Sequence, residues 1–330
     1  MPTLYVKEQG ASVVKRGEQI VILKQKMTLL EIPLSTIDSI AIIGNVQITT
    51  QALQMLMEAG IDISYFTRYG KYLGHTVTDS SKNVFLRFAQ YELYQNLERR
   101  MDIARIIVEN KVKNQMTLMR KYRWDGRYQA KDDLRQMERV LDTLPTKQTP
   151  NSILGVEGMC SNIYLGVYGH MFKSKIRFEG RNRRPPRDPI NVILSLGYSF
   201  LTKDVSAALE AESFETYMGF LHGIRYGRKS LALDIVEEFR QPVIDRLVLR
   251  SFNLGIFSER DFYEENDRIV LGEEGFAKFC QNYENWMKDR HQTGIDRSFS
   301  DQIKNQAREL KKAISEKREY IPFSWKECLN

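Results

Sequence analysis

Apolar and β-branched residues recur in short runs along the first part of the chain, at residues 4–6, 13–14, 20–23, 31–34 and 39–43. Turn-favouring residues, among them Gly10, Gly17 and Gly44, separate several of these runs. Runs of that length and composition predict strands. The period then changes over residues 51–59, where Leu53, Leu56 and Met57 share one helical face. Thr49 or Thr50 stands at the capping position, and Gly60 follows the last turn. Residues 61–66 and 72–75 flank a tight turn at 68–71, as the strands of a hairpin would.

The polar stretch Asp79, Ser80, Ser81, Lys82 is the best domain boundary, because beyond it the apolar positions repeat at helical spacing. Residues 85–99 and 101–122 form long amphipathic stretches, with Ile103, Ile106 and Ile107 in a buried stripe. Further helices are expected over 132–141, from 151 onward, and over 190–201, 275–290 and 300–317. Asp188 followed by Pro189 is a good cap and first-turn pair for the third of these. The pattern predicts an α+β chain: a small β-rich N-terminal domain, 1–78, followed by a larger all-helical C-terminal domain, 79–330.

Charge changes this picture in the second part only. Seven Lys/Arg face six Asp/Glu up to Thr78, which suits a scaffold or dimerisation domain. From Ser80 to Gln148 there are fifteen Lys/Arg against nine Asp/Glu. With a formal net charge of +7 and a pI near 9.1, a polyanionic partner is favoured over a neutral one. Cys160, Cys280 and Cys328 have no zinc-ligand spacing and read as reduced packing residues. No apolar run approaches the ~18 residues a spanning helix needs, and no signal-peptide pattern opens the chain. A soluble, cytoplasmic protein is expected.

Three clusters carry candidate chemistry. Glu157, in Gly155-Val156-Glu157-Gly158, is an acid on an apolar, aromatic helix that reads as largely buried. Such a carboxylate must be protonated, paired or bound to a metal, and pairing and metal binding both remain open at this point. Arg181, Arg183, Arg184 and Arg187 lie on a loop stiffened by Pro185 and Pro186, and guanidinium groups suit phosphate contacts. The stretch 221–240 brings together His222, then Arg225, Arg228 and Lys229, then Asp234 and Glu237. The two acids share one helix face. Ser230 is placed to cap that helix, Gly223 to end a helix after His222, and Pro242 to bend the chain. An imidazole and carboxylates converging on one point would hold a hard metal ion beside a phosphodiester.

These blocks, GVEG, then RRPPRDPINVILSLGYSFL, then GFLHGIRYGRKSLALDIVEEFR, together resemble the CRISPR-associated spacer-acquisition integrases of the Cas-one family. The plan of a β domain before a helical domain is also similar. The resemblance implies a metal-dependent DNA endonuclease and integrase that inserts short fragments into a CRISPR array by attack of a 3′-hydroxyl on a phosphodiester. It implies Mg²⁺ or Mn²⁺ held by Glu157, His222 and Glu237, with Asp234 supporting the site. It further implies contacts to DNA, a homodimer formed by the N-terminal domain, and a small partner of the Cas-two family. Where the family often has Gly-x-Asp-Pro before the histidine, this chain has Ser213-Phe214-Glu215-Thr216. Met159, Cys160, Ser161 and Asn162 also depart from the family pattern, and no role is carried over to them. An unrelated metal-dependent nuclease or a non-catalytic nucleic-acid-binding protein would share part of this residue set.

Overall fold

The computed structural model describes residues 3–76, 83–122, 130–182, 185–293 and 296–325. The chain divides into two compact units, Met1–Ser80 and Ser81–Asn330.

In the first unit β1 (Thr3–Val6), β5 (Ser39–Ile43), β7 (Asp62–Phe66) and β8 (Tyr72–Thr76) form one sheet in the order β1-β5-β7-β8. A second sheet has the order β4-β3-β2-β6, from β2 (Ser12–Arg16), β3 (Gln19–Lys24), β4 (Met27–Pro33) and β6 (Gln47–Ile48). β1, β5 and β7 run parallel, and β7 turns back on β8 through the expected hairpin. Helix α1 (Thr50–Glu58) is capped by the Thr49 side chain, which accepts from Ala52 N–H. Strand alternation sends Val6, Val13, Ile20, Ile40, Ile42 and Ile63 inward, where Ala52, Met55 and Leu56 of α1 complete the core. β4 begins earlier than its apolar run suggested and lies at a sheet edge with Met27, Leu29 and Leu30 exposed.

The second unit is mostly helical: α2 (Val84–Gln95), α3 (Leu97–Lys121), α4 (Lys131–Leu141), α5 (Pro150–Tyr168), α6 (Pro189–Ala211), α7 (Ser230–Phe239), α8 (Arg246–Asn253), α9 (Glu273–Lys288) and α10 (Phe299–Ser315). Their starts follow local signals. Thr149 caps α5 in a reciprocal box with Ser152, and Asp188 caps α6 by accepting from Asn191 N–H. The 25-residue α3 packs against α5 and α7, and α6 packs against α7 and α10.

Two features depart from the expected pattern. A hairpin, β9 (Phe262–Glu265) and β10 (Arg268–Leu271), interrupts the helices, turning through Asn266 and Asp267 at positive φ. Asn and Asp tolerate that left-handed conformation, so the turn signal was present in a strand pair only four residues long. Helix α6, 23 residues long, is by length and composition apolar enough to cross a membrane, although no such run was expected; half of that stretch is buried in the fold.

α7 passes through a π-helical segment, Arg240–Asp245, before α8. Pro242 has no N–H to offer the Glu238 carbonyl four residues back. Asn114 Nδ2, from α3, donates to that oxygen at 3.0 Å. Thus the helix is re-wound where the proline was expected to disturb it, and a neighbouring side chain satisfies the carbonyl left without its usual donor.

Candidate active site

Helix α5 buries one stripe, Ile153, Val156, Cys160, Tyr164 and Val167. Glu157 lies beside that stripe with 21% of its side chain exposed, so it is less buried than the apolar surroundings suggested. Glu237, on α7, is almost wholly buried, with 4% exposed. Both carboxylates meet one cation, Lys111 of α3. Its Nζ donates to Glu157 Oε1 and lies 2.6 Å from Glu237 Oε2. That second contact is an ion pair only; Glu237 Oε2 has no hydrogen bond of regular geometry. Arg240 Nη2 holds the other oxygen, Glu237 Oε1, at 3.0 Å. Burial works against the charge of Glu237, but Arg240 and then Lys111 outweigh it and hold its pKa at about 2. Glu157 is braced further by Ser161 Oγ, which donates to Oε1 at 2.8 Å and itself accepts from Gln115 Nε2.

His222 does not end a helix. It stands in the loop between α6 and α7, and Gly227, not Gly223, takes the left-handed conformation there. α6 stops after Ala211, and Ser213 adopts φ +80°, a residue that is neither Gly nor Asn at that turn. Gln90 of α2 then clamps the loop. Its Oε1 accepts from Glu215 N–H, and its Nε2 donates to the carbonyls of Glu215 and Met218.

Asp234 closes the loop from the α7 side. Its carboxylate accepts from the backbone N–H groups of Phe220 (2.5 Å), Leu221 (3.0 Å) and His222 (2.9 Å), and it contacts His222 Nδ1 at 2.8 Å. A carboxylate with four such partners is fully committed, so Asp234 orients His222 and leaves Nε2 as the ring nitrogen for a ligand. A Cβ at Gly219 would come within 2.8 Å of this carboxylate and 2.7 Å of the His222 carbonyl, which is why the chain needs glycine there. Ser230 does not cap α7; its Oγ donates to the Gly223 carbonyl at 3.0 Å and ties the loop instead.

The expected phosphate-binding bases divide into two groups. Arg181 is committed to its own fold, donating to the Asn182 carbonyl, Asn191 Oδ1 and Ser195 Oγ and stacking on Tyr198. Arg228 donates to the Gly223 carbonyl, and Lys229 pairs with Glu210 at 2.7 Å. Arg187 and Arg225 are exposed. Arg183 and Arg184 lie outside the described residues. The bases of α3 are likewise partnered in part: Lys113 with Glu109, Arg120 with Glu138, Arg105 with Asp102, and Lys111 as above.

Several groups at this site were not singled out in the sequence. Asp245 accepts from Tyr164 Oη at 2.8 Å and Tyr198 Oη at 2.5 Å, while its carbonyl accepts from Tyr168 Oη. This joins α5, α6 and the π-helical segment behind the two glutamates. Burial raises the pKa of Asp245, and the two tyrosine hydrogen bonds only partly counter it. Gln115, and Lys111, which was counted only among the fifteen bases of residues 80–148, are the more telling cases. They lie with Asn110 and Asn114 on the buried side of α3, between Ile107 and Leu118. Polar residues at positions where the apolar stripe should continue were the available signal.

Two carboxylates and an imidazole nitrogen are donors that suit Mg²⁺ or Mn²⁺. The buried Glu237 Oε2, 2.6 Å from the Lys111 ammonium, and the sharing of that one cation by both glutamates mark a position that favours positive charge. Among the described residues, however, no three His, Cys, Asp or Glu side chains stand in metal-holding geometry. Glu157 and Glu237 meet at an ammonium group, and His222 faces Asp234 through Nδ1. The residues fit a divalent cation in chemistry, with Lys111 placed between two of them.

Residues 4–285 match the family model described as CRISPR associated protein Cas1. CRISPR-associated endonuclease Cas1 3 of Thermus thermophilus is 31% identical over 327 residues, covering 97% of this chain and 96% of the relative. Among solved structures, a casposase bound to integration product superposes with a TM-score of 0.85 at 25% identity, covering 100% of this chain and 96% of that one. A partial Cas6-RT-Cas1–Cas2 complex superposes with a TM-score of 0.68 at 25% identity, covering 98% of both chains.

Proposed function

Because the chain belongs to the CRISPR-associated Cas1 family, we propose that it is a metal-dependent DNA endonuclease and integrase that inserts short fragments into a CRISPR array. The observation that carries this reading is the convergence of Glu157 and Glu237, from separate helices, on one buried cation position, with His222 held by Asp234 of the same helix as Glu237. A protein that only grips DNA has no need of two carboxylates and an imidazole inside a basic molecule.

Glu157, Glu237 and His222 Nε2 would hold the metal, and Asp234 keeps the histidine ring in place. Bound there, Mg²⁺ or Mn²⁺ would polarise the phosphoryl oxygen and make a hydroxyl or water a better nucleophile. Arg187 and Arg225, with Arg183 and Arg184, would take the sugar–phosphate backbone on either side of the scissile bond. Arg181, Arg228 and Lys229 shape the loops that present them. Contacts of this kind read the backbone and not the bases, so DNA is held with little sequence preference.

The exposed edge strand β4, with Met27, Leu29 and Leu30 uncovered, supports a homodimer through the first unit. The likeness to a casposase bound to integration product and to a Cas1–Cas2 assembly supports DNA and a small Cas-two partner. Such a complex would work in the cytoplasm, where CRISPR arrays lie.

The test is an integration assay with labelled DNA fragments and a plasmid bearing a repeat, with and without the small partner and Mn²⁺. Glu157→Ala, His222→Ala and Glu237→Ala should each abolish cleavage and strand transfer while DNA binding persists. Wild-type activity in all three variants would overturn the reading.

A further inference from the structure

Lys111 is the feature that the proposed function leaves unexplained. Its side chain is 5% exposed, on the middle of a 25-residue helix, and its ammonium touches both candidate metal ligands at once. A buried ammonium needs anionic partners, and two carboxylates brought together need a cation. Each group therefore accounts for the burial of the others. The arrangement is also braced from outside: Ser161 and Gln115 hold Glu157, and Arg240 holds Glu237.

This balance has a consequence for metal binding. The two glutamates are already neutralised by Lys111 and Arg240. A divalent cation added to that set would leave excess positive charge in a buried place. Arg240 is fixed, since its guanidinium also stacks on Tyr198 at 4.9 Å. Lys111 is the group able to leave, because four rotatable bonds carry its ammonium and Glu157 opens the cluster to solvent on one side.

We propose that Lys111 is an internal stand-in for the catalytic cation: its ammonium fills the position between Glu157 and Glu237 in the metal-free protein, and metal binds by displacing it. This rests on the assignment of those glutamates as metal ligands. Lys111 thereby keeps two carboxylates assembled without metal, at the expense of metal affinity. It is a positioning residue, and it sets the metal concentration at which the site loads.

Calorimetric titration with Mn²⁺ of the full chain and of Lys111→Met tests the idea without reference to activity. Lys111→Met should bind Mn²⁺ about tenfold more tightly than wild type. Its metal-free melting midpoint should be lower, and Mn²⁺ should close that gap. Equal dissociation constants for the two proteins overturn the proposal while leaving the metal site standing. Absence of Mn²⁺ binding in both removes the metal assignment and the proposal with it.

A measurement on wild type covers the case in which Lys111→Met does not fold. Acylation of lysines read by mass spectrometry should find Lys111 protected in chelator and labelled severalfold more in Mn²⁺. Protection that is unchanged by Mn²⁺, in a protein that binds it, also overturns the proposal.

Discussion

Glu237 and Glu238 are adjacent on α7 and both buried, yet they live in opposite electrostatic worlds. Glu237 faces α3 and α5, where Arg240 and Lys111 overcome the effect of burial and hold its pKa at about 2. Glu238 faces the C-terminal tail. Tyr320 Oη donates to Oε1 at 2.6 Å and Phe323 N–H to Oε2 at 2.8 Å. Burial dominates there, the two neutral donors only soften it, and the pKa rises to about 8. A step of one residue around a helix, roughly 100°, separates a carboxylate kept charged by cations from one held among neutral groups. One face of α7 sets a buried carboxylate between two cations. The other is built to hold the tail, where Gln306 also binds Tyr320 and Asn110 binds the Phe323 carbonyl.

The contrast can be broken most forcefully at its charged end. Glu237→Gln should reduce Mn²⁺-dependent cleavage to background. It should also destabilise the metal-free fold by about 3 kcal/mol, because Arg240 then loses its ion-pair partner and Lys111 keeps only Glu157. A nuclease assay and a urea melt read the two effects. A variant with near wild-type cleavage would mean that this face is structural.

Asp234→Asn is expected to act next most strongly. An amide keeps one acceptor oxygen for donors that now use two, so the loop around His222 loosens. Activity should fall about 10- to 100-fold through loss of the ligand's orientation, with Mn²⁺ affinity falling in parallel. Unchanged Mn²⁺ affinity would show that His222 needs no such support.

On the tail side, Tyr320→Phe removes one donor to Glu238 and the acceptor used by Gln306. Denaturant unfolding should show a loss of about 1–2 kcal/mol, with cleavage barely changed. A large loss of cleavage at unchanged stability would show that the two faces are not separable.

Glu238→Gln should have the smallest effect on cleavage and sharpens the contrast through pH. The folded pKa of Glu238 is raised, so its contribution to stability is complete below about 4.5 and is lost as pH rises through about 8. For Glu237 the sign is opposite: its contribution is present above about 4.5 and is lost as pH falls towards about 2. Wild type should therefore lose stability relative to Glu238→Gln between about pH 5 and pH 9, in chemical denaturation at matched ionic strength. Parallel curves for the two proteins would place Glu238 outside this account.

Signals confined to a few residues were legible in the chain. The change from strand runs to helical spacing near residue 80, the Thr49 and Asp188 caps, and the paired acids of α7 all depend on neighbours within a turn or two. The three blocks that carry the family resemblance are of the same kind. Polar residues at buried positions of α3 were also visible, but the strongly basic composition made Lys111 look like one more surface charge. Arg181 of the arginine loop is drawn into hydrogen bonds by Asn191 and Ser195, which its own loop does not contain.

The sequence by itself thus determined the two-part architecture, most of the helix starts and the family, and it nominated the set Glu157, His222, Asp234 and Glu237. Only the tertiary structure decided which cations hold Glu237 charged, which acid orients the histidine, and which cation stands between the glutamates. Secondary structure follows from periodicity and capping, which are short-range. Ionisation and pairing follow from burial and from charges on other helices, and α3, α5 and α7 meet only when the chain has folded.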